Sequence, residues 1–191
     1  MKRFSIYLVT FLIAVSLLMG MCACEKDISG DSKKVYLHGQ MNGYTTLMFT
    51  HAVDEMIRDG QTRLEVFIMS PGGVVADCFG AVDVLNYAKS RGIKVICVAR
   101  GMVASAAVPV FAVGDIRIAG PNTVFMLHKP DRTGTVNEDY LEMMDLHEKL
   151  YITILADNCQ LTYEEIDKYC TEFTWFTAKE AKRWGLVDII R

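Results

Sequence analysis

The sequence has little excess charge, no cluster of metal ligands and no internal repeat. Its 191 residues include 20 lysines and arginines and 23 aspartates and glutamates, which gives a formal net charge of -3. Because no run of lysine and arginine stands out, the composition gives no support for nucleic acid as a partner. No CxxC pair or histidine-rich cluster indicates a metal site, and we expect no cofactor. The hydrophobic residues, 51% of the chain, are enough for the core of one domain.

The N-terminal residues form a separate unit. Two basic residues precede the uncharged apolar stretch 4–21, and small Ala23 stands before Cys24. This pattern is typical of a secretory signal and resembles a bacterial lipoprotein signal, which predicts a signal peptide over 1–23, lipidation at Cys24 and a polar tether over 24–34. The stretch is also just long enough to span a bilayer, so an uncleaved anchor is the alternative. In both cases we expect an exported, membrane-anchored protein on the periplasmic or cell-surface side.

Four cysteines remain after this segment. Cys78 and Cys97 lie in apolar helix and strand patterns, so we expect buried thiols there. Cys159 and Cys170 flank a short helical stretch, and export permits disulfides. Their spacing alone leaves open whether they pair.

From residue 35 onward, short apolar strands alternate with segments of helical periodicity. Strands are predicted to begin at Val35, Leu64, Lys94, Ile116, Thr123 and Leu186, with the third ending at Ala99. Helices are predicted to cover 45–58, the segment after 70–73 to about 89, 138–157, 163–169 and 178–184. In the first of these helices we expect a buried face of Leu47, Ala52, Met56 and Ile57. Strands that alternate with helices of crossover length predict one α/β domain with a mostly parallel sheet over 35–191.

Three local patterns carry residue types suited to catalysis. A strand is followed directly by Ser-Pro-Gly-Gly at 70–73, where paired glycines let the backbone amides approach a ligand. Ser105 follows a run of small residues and opens an apolar helix, where developing negative charge is favoured. His128 ends a strand and precedes a lysine and a proline. Taken singly, an ordinary turn explains the first pattern equally well, and a helix N-cap and a structural histidine explain the other two better.

Taken together and in order, these patterns resemble the proteolytic-subunit family of Clp protease, within the ClpP/crotonase superfamily. The opening at 35–39, the Phe-Thr-Ala segment at 176–178 and Gly-Leu-Val-Asp at 185–188 resemble the same family, so the likeness covers about residues 35–190. The resemblance implies the ClpP/crotonase-like β-β-α superhelix and a serine endopeptidase. Its substrates would be peptides or unfolded proteins.

The resemblance also implies a role for individual residues. Ser105 would be the nucleophile and His128 its general base, and the backbone amides of Gly73 and Ala106 would form the oxyanion hole. The family's third catalytic residue is an aspartate, at a position that holds Phe173 in this sequence. The nearest acid is Glu172, which we expect to serve if a local bulge turns its side chain toward the histidine.

Two other candidates for the third catalytic group, the one that orients His128, also fit the sequence. Asp167 could supply the acid, or a backbone carbonyl could orient His128.

The family's pattern of assembly is only partly present. Family members use an Arg-Asp pair to link two rings, and Glu172 and Phe173 stand at those positions here. The N-terminal segment that gates the rings of the family is replaced by the predicted signal and tether. We therefore expect a homo-oligomer without an ATPase partner, acting independently of ATP.

Two competing hypotheses remain at this point. One is a Ser-Lys peptidase resembling the signal peptide peptidase A family, in which a serine after small residues also occurs. The other is a lipoprotein that uses the fold for peptide binding or assembly, without catalysis.

Overall fold

The computed structural model describes residues 32–132 and 137–191. Within these two ranges, seven strands form one sheet: β1 (Lys33–His38), β2 (Arg63–Ser70), β3 (Lys94–Ala104), β4 (Ile116–Ala119), β5 (Val124–Leu127), β6 (Thr174–Thr177) and β7 (Ile189–Ile190). The helices that connect or flank them in the described residues are α1 (Gly43–Arg58), α2 (Val75–Ser90), α3 (Ala107–Ala112), α4 (Glu138–Asp157), α5 (Tyr163–Thr171) and α6 (Ala178–Arg183).

The sheet is mostly parallel, as the alternation of strands and helices predicts. Its order is β1-β2-β3-β4-β7, with β5 paired to β3 and β6 paired to β5. Within the described ranges, only the pairing of β5 with β6 is antiparallel. Strand β3 is covered on both faces, since Val95–Ala99 are all buried, whereas in β2 buried Val66 and Ile68 alternate with partly buried Phe67 and exposed Met69. Burial on both faces explains why β3 begins as a nearly continuous apolar run.

Strand β3 is longer than predicted and has two successive neighbours on one side. Its first half, around Ile96–Ala99, pairs with β4, whereas Met102–Ala104 pairs with β5. Gly101, at φ 61, lies between the two halves, and the register against β2 shifts at the same level. A left-handed backbone is cheapest at glycine, so β3 can turn there and continue beside β5. This change of partner brings the ends of β3 and β5 together.

Helix α1 begins earlier than predicted, and its buried face matches the predicted one only in part. Asn42 caps it by accepting hydrogen bonds from the amides of Tyr44 and Thr45, so the helix starts at Gly43. Its buried residues are Thr46, Phe49, Val53 and Met56. Of the predicted face, Met56 is buried and Ala52 and Ile57 pack partly buried against the core, but Leu47 is 54% exposed. The prediction was therefore wrong at Leu47, because local periodicity admitted more than one apolar stripe.

The N-terminal predictions lie mainly outside the described residues. The signal peptide over 1–23 and the lipidation site Cys24 fall there entirely, and the predicted tether is shortened because β1 already begins at Lys33. Among the helices of the described ranges, none combines the length and the apolar character that crossing a membrane would need. The four described cysteines, Cys78, Cys97, Cys159 and Cys170, are all free thiols, so Cys159 and Cys170 do not pair here.

Candidate active site

Ser105 and His128 meet at the ends of two paired parallel strands. Ser105 follows β3 directly and His128 follows β5, and Ala104 pairs with Met126 in the sheet. The Ser105 amide donates a hydrogen bond to the Met126 carbonyl at 2.8 Å. The Ser105 Oγ lies 2.6 Å from His128 Nε2. That distance is a short hydrogen bond and the contact a serine nucleophile needs with its general base.

Ser105 does not cap the following helix. Its φ is 52°, and the N-cap of α3 is Ala106, which makes no side-chain cap. A left-handed backbone at a non-glycine residue costs on the order of 1–3 kcal/mol and is found where the surroundings enforce it. Here the Ser105 carbonyl accepts hydrogen bonds from the Val108 amide at 2.9 Å and from the Tyr151 hydroxyl at 3.2 Å. Burial raises the pKa of Tyr151 well above its ordinary value, so that hydroxyl remains a donor.

Of the two glycines after β2, Gly72 lies against the turn at Ser105 and Gly73 lies against Met41. Gly72 has φ 91 and Gly73 has φ 153. A Cβ added at Gly72 would lie 2.7 Å from the Ser105 Cβ and 2.8 Å from the Ala106 nitrogen, and one added at Gly73 would collide with the Met41 carbonyl. Only glycine permits this approach, because any side chain would fill the gap.

The loop at Gly73 is held from its other side. The Met41 amide donates to the Gly72 carbonyl at 2.8 Å, and the Val74 amide donates to the Met41 carbonyl at 3.0 Å. Within the described ranges, neither the Gly73 amide nor the Ala106 amide is used in a hydrogen bond. Both are therefore available to a ligand next to Ser105.

A groove of about 700 Å³ opens at the Ser105–His128 pair. Its walls come from the glycine loop, from the segment after His128 and from one face of α4, and the residues lining it are Gln40, Pro71–Ala76, Ser105, His128, Pro130, Asp131, Tyr140, Met143, Met144 and His147. Most of its lining is apolar side chain with a few polar groups. A groove of this size and character accommodates a segment of peptide.

Phe173, not Glu172, lies against the His128 ring. The two rings stack with centroids 4.8 Å apart and planes 27° apart. Glu172 is exposed at the C-cap of α5, and Phe173 follows it with φ 52. His128 Nδ1 has no hydrogen-bond partner among the described residues, although the atom is buried. The structure therefore does not bring Glu172 to the place where a third catalytic residue would act.

Comparison with known proteins identifies the family. The sequence model of the Clp protease family matches residues 32–191. This chain belongs to the Clp protease family. It is 28% identical over 167 residues to ATP-dependent Clp protease proteolytic subunit 2 of Gluconobacter oxydans, covering 84% of this chain and 74% of that protein. It is also 28% identical over 167 residues to the ATP-dependent Clp protease proteolytic subunit of Bacteroides thetaiotaomicron, covering 81% and 72%.

Solved structures of the family share the fold. A point mutant of ClpP1 from Listeria monocytogenes superposes with a TM-score of 0.76 at 24% identity, covering 83% of this chain and 90% of that one. The ClpP protease catalytic domain from Plasmodium falciparum gives a TM-score of 0.71 at 23% identity, covering 83% and 84%. The predicted ClpP-like α/β fold is thereby confirmed, and the chain has the fold of the ClpP-family serine proteases.

In this Clp protease family member, ion pairs brace the segment that carries His128. Lys129 Nζ lies 2.7 Å from Glu148 of α4 and 2.8 Å from Asp167 of α5. Arg132 pairs with Glu148 at 2.9 Å and with Asp145 at 2.7 Å. Asp167, the other acid proposed from sequence, is thus engaged by Lys129 and does not reach His128. The network ties the loop after β5 to both neighbouring helices.

The same network bears on the Ser-Lys alternative. Hydrogen bonds to Asp167 and Glu148 raise the pKa of Lys129, so its ammonium stays protonated and cannot serve as a base. No lysine is among the described residues that line the groove. The titratable side chain in contact with the Ser105 hydroxyl is the imidazole of His128.

Two residues at this site were missed by sequence reasoning. Tyr151 reaches the Ser105 carbonyl from α4, and no local pattern distinguishes it from an ordinary core tyrosine. Asp131 has its Oδ1 3.9 Å from His128 Nδ1. The sequence feature that could have indicated Asp131 is its position three residues after His128 and directly after a proline.

Proposed function

We propose that this chain is a serine endopeptidase that cleaves peptides or unfolded proteins. The observation that carries the proposal is the 2.6 Å contact between Ser105 Oγ and His128 Nε2. The constrained backbone at Ser105 and the two unused amides beside it add to the case. A contact between nucleophile and base and two free oxyanion donors are requirements of acyl transfer, and an ordinary helix cap or a structural histidine needs neither of them.

The proposed reaction has two halves. Ser105 Oγ attacks the scissile carbonyl carbon while its proton passes to His128 Nε2, and the carbonyl oxygen becomes an oxyanion that the amides of Gly73 and Ala106 bind. Collapse breaks the C–N bond, and His128 gives the proton to the leaving amine. Water then attacks the acyl-enzyme, with His128 again taking and returning the proton. No cofactor enters any step.

The shape of the groove supports an extended substrate with loose sequence preference. Apolar walls from α4 and from the glycine loop face the Ser105–His128 pair. A folded protein cannot present its backbone to such a groove, whereas a peptide or an unfolded chain can.

The function is tested by an active-site probe. A fluorophosphonate is expected to label the full-length chain covalently, and Ser105→Ala is expected to abolish labelling, because the probe reacts only with an activated serine. Ser90→Ala is the control, since Ser90 is an exposed serine at the end of α2 whose hydroxyl donates to the Tyr87 carbonyl, away from the lining of the groove. Absence of labelling in the wild-type chain would favour the alternative of a binding or assembly protein.

We also propose an exported protein anchored by a lipid at Cys24, which assembles with copies of itself and acts without an ATPase. The N-terminal sequence supports this location. The relatives named above are called ATP-dependent proteolytic subunits, so the proposed independence from ATP is a difference between this chain and those relatives.

Cell fractionation tests the anchor and the ATP requirement together. Full-length chain is expected in the membrane fraction, and washed membranes are expected to hydrolyse an unfolded protein without ATP. Cys24→Ala is expected to lose the membrane association, because lipidation adds affinity through each buried CH₂ group. Retention of this variant in the membrane would indicate an uncleaved apolar anchor instead. Hydrolysis that requires ATP and an unfoldase would refute independence from ATP.

A further inference from the structure

His128 has one ring nitrogen in use and one without a hydrogen bond. Nε2 faces Ser105 Oγ, while Nδ1 is buried and has no hydrogen bond among the described residues. The side chain as a whole is 11% exposed. A buried N–H without an acceptor is unfavourable, and an imidazole without a second hydrogen bond is not fixed in one tautomer. A hydrogen-bond acceptor next to Nδ1 would therefore stabilise the imidazole in one tautomer.

The nearby acids other than Asp131 are unsuitable. Asp167 and Glu148 are held by Lys129, and Asp145 is held by Arg132. Glu172 is exposed at the end of α5. The residue that follows Glu172 covers one face of the imidazole with its ring, so the chain presents an aromatic group there in place of a carboxylate.

Asp131 is positioned to approach Nδ1. Its Oδ1 lies 3.9 Å away, and its side chain is 71% exposed. It lies between Lys129 and Arg132, whose ion pairs fasten the backbone on both sides to α4 and α5. The side chain is free to rotate while its backbone is held. A shortening of about 1 Å produces a hydrogen bond, and such bonds often tighten only when substrate binds.

We propose that Asp131 is the positioning residue for His128 in this chain. The inference rests on the proposed peptidase function. When a peptide fills the groove, which Asp131 also lines, the carboxylate accepts the Nδ1–H of the imidazole. That bond keeps the proton on Nδ1 and leaves the Nε2 lone pair toward Ser105 Oγ. Exclusion of water by the substrate strengthens the contact with the imidazolium formed during attack.

Phe173 has a complementary part in the same arrangement. Its ring stacks on His128, which limits rotation of the imidazole about its own axis. The stack orients the ring plane, and Asp131 selects the tautomer. The acid thus comes from the loop that carries the base itself, and not from the segment before β6.

The test compares Asp131→Ala with Glu172→Ala in the full-length chain. We expect Asp131→Ala to lower kcat for a peptide by roughly 10²-fold with KM little changed, a smaller loss than the ~10⁴-fold of a buried triad aspartate because Asp131 is largely exposed. Added formate is expected to restore part of the lost rate, since a small carboxylate can enter the vacated position. Asp131→Glu is expected to retain more activity than Asp131→Ala. Glu172→Ala is expected to match the wild type.

The outcomes separate the two proposals. If the wild type is inactive and is not labelled by a fluorophosphonate, the peptidase proposal itself fails. If the wild type is active through Ser105 and Asp131→Ala equals it, only the role of Asp131 is overturned. A loss in Glu172→Ala without one in Asp131→Ala overturns it as well. A loss in Asp131→Ala that formate does not relieve and that accompanies a lower Tm would indicate a structural role, which also overturns it.

Discussion

Replacing His128 by alanine is expected to lower kcat/KM for a peptide substrate by roughly 10⁴-fold, with little change in Tm. At neutral pH a serine hydroxyl is a weak nucleophile, and Nε2 at 2.6 Å is the group in position to remove its proton. The substitution removes the base and leaves the amides of Gly73 and Ala106 in place. Steady-state peptide hydrolysis and the rate of fluorophosphonate labelling both measure this loss.

His51→Ala is the control for loss of a histidine elsewhere. His51 is exposed on α1, away from the lining of the groove, so its removal is expected to leave both rates unchanged. Full activity of His128→Ala would refute a histidine base and restore the Ser-Lys alternative. That result would require a lysine to approach Ser105 in a conformation different from the one described here.

Replacing Gly72 by alanine is expected to reduce kcat/KM by roughly 10²–10³-fold, the size of effect seen when an oxyanion donor is lost. The added methyl would lie 2.7 Å from both the Ala104 carbonyl oxygen and the Ser105 Cβ, and 2.8 Å from the Ala106 amide nitrogen. Since these are backbone atoms or a constrained side chain, the turn must shift to make room. Ser105 would move relative to His128, and the neighbouring amide would move with it.

Gly39→Ala separates this collision from backbone strain. Gly39 has φ 82, close to the φ 91 of Gly72, but a Cβ added at Gly39 meets nothing within 4 Å. Both variants therefore carry the cost of a left-handed alanine, about 1 kcal/mol of unfolding free energy. We expect only Gly72→Ala to lose activity, whereas both lower Tm slightly. Equal activities in the two variants would show that the close approach of the glycine loop is unimportant for the reaction.

The prediction of the Ser105–His128 pair from sequence depended on three patterns occurring in order. The strands that carry these residues end at the same edge of a parallel sheet, which is where motifs far apart in the chain can meet. The structure brings them together through the pairing of β3 with β5. Taken singly, each motif also fitted a turn, a cap or a structural residue, and the capping explanation fails because Ala106 holds that position.

The surroundings of His128 were predicted less well. The segment before β6 contains Glu172 next to Phe173, and a change of one residue decides which side chain faces the histidine. The left-handed φ of Phe173 settles that choice in the structure. Such a conformation at an aromatic residue depends on how α5 ends and on the pairing of β6 with β5, neither of which the local pattern contains.

The sequence by itself determined the α/β class and the mostly parallel sheet, which follow from hydrophobic periodicity along the chain. The serine and the histidine were identified through the ordered motifs that resemble the Clp protease family, because each motif taken singly also fits a structural role. Only the tertiary structure decided the buried face of α1, the stacking of Phe173 on His128 and the approach of Asp131 to Nδ1. These features depend on side-chain directions and on contacts between segments that are distant in the sequence. A side chain can turn toward a different neighbour while the hydrophobic pattern of the sequence stays the same.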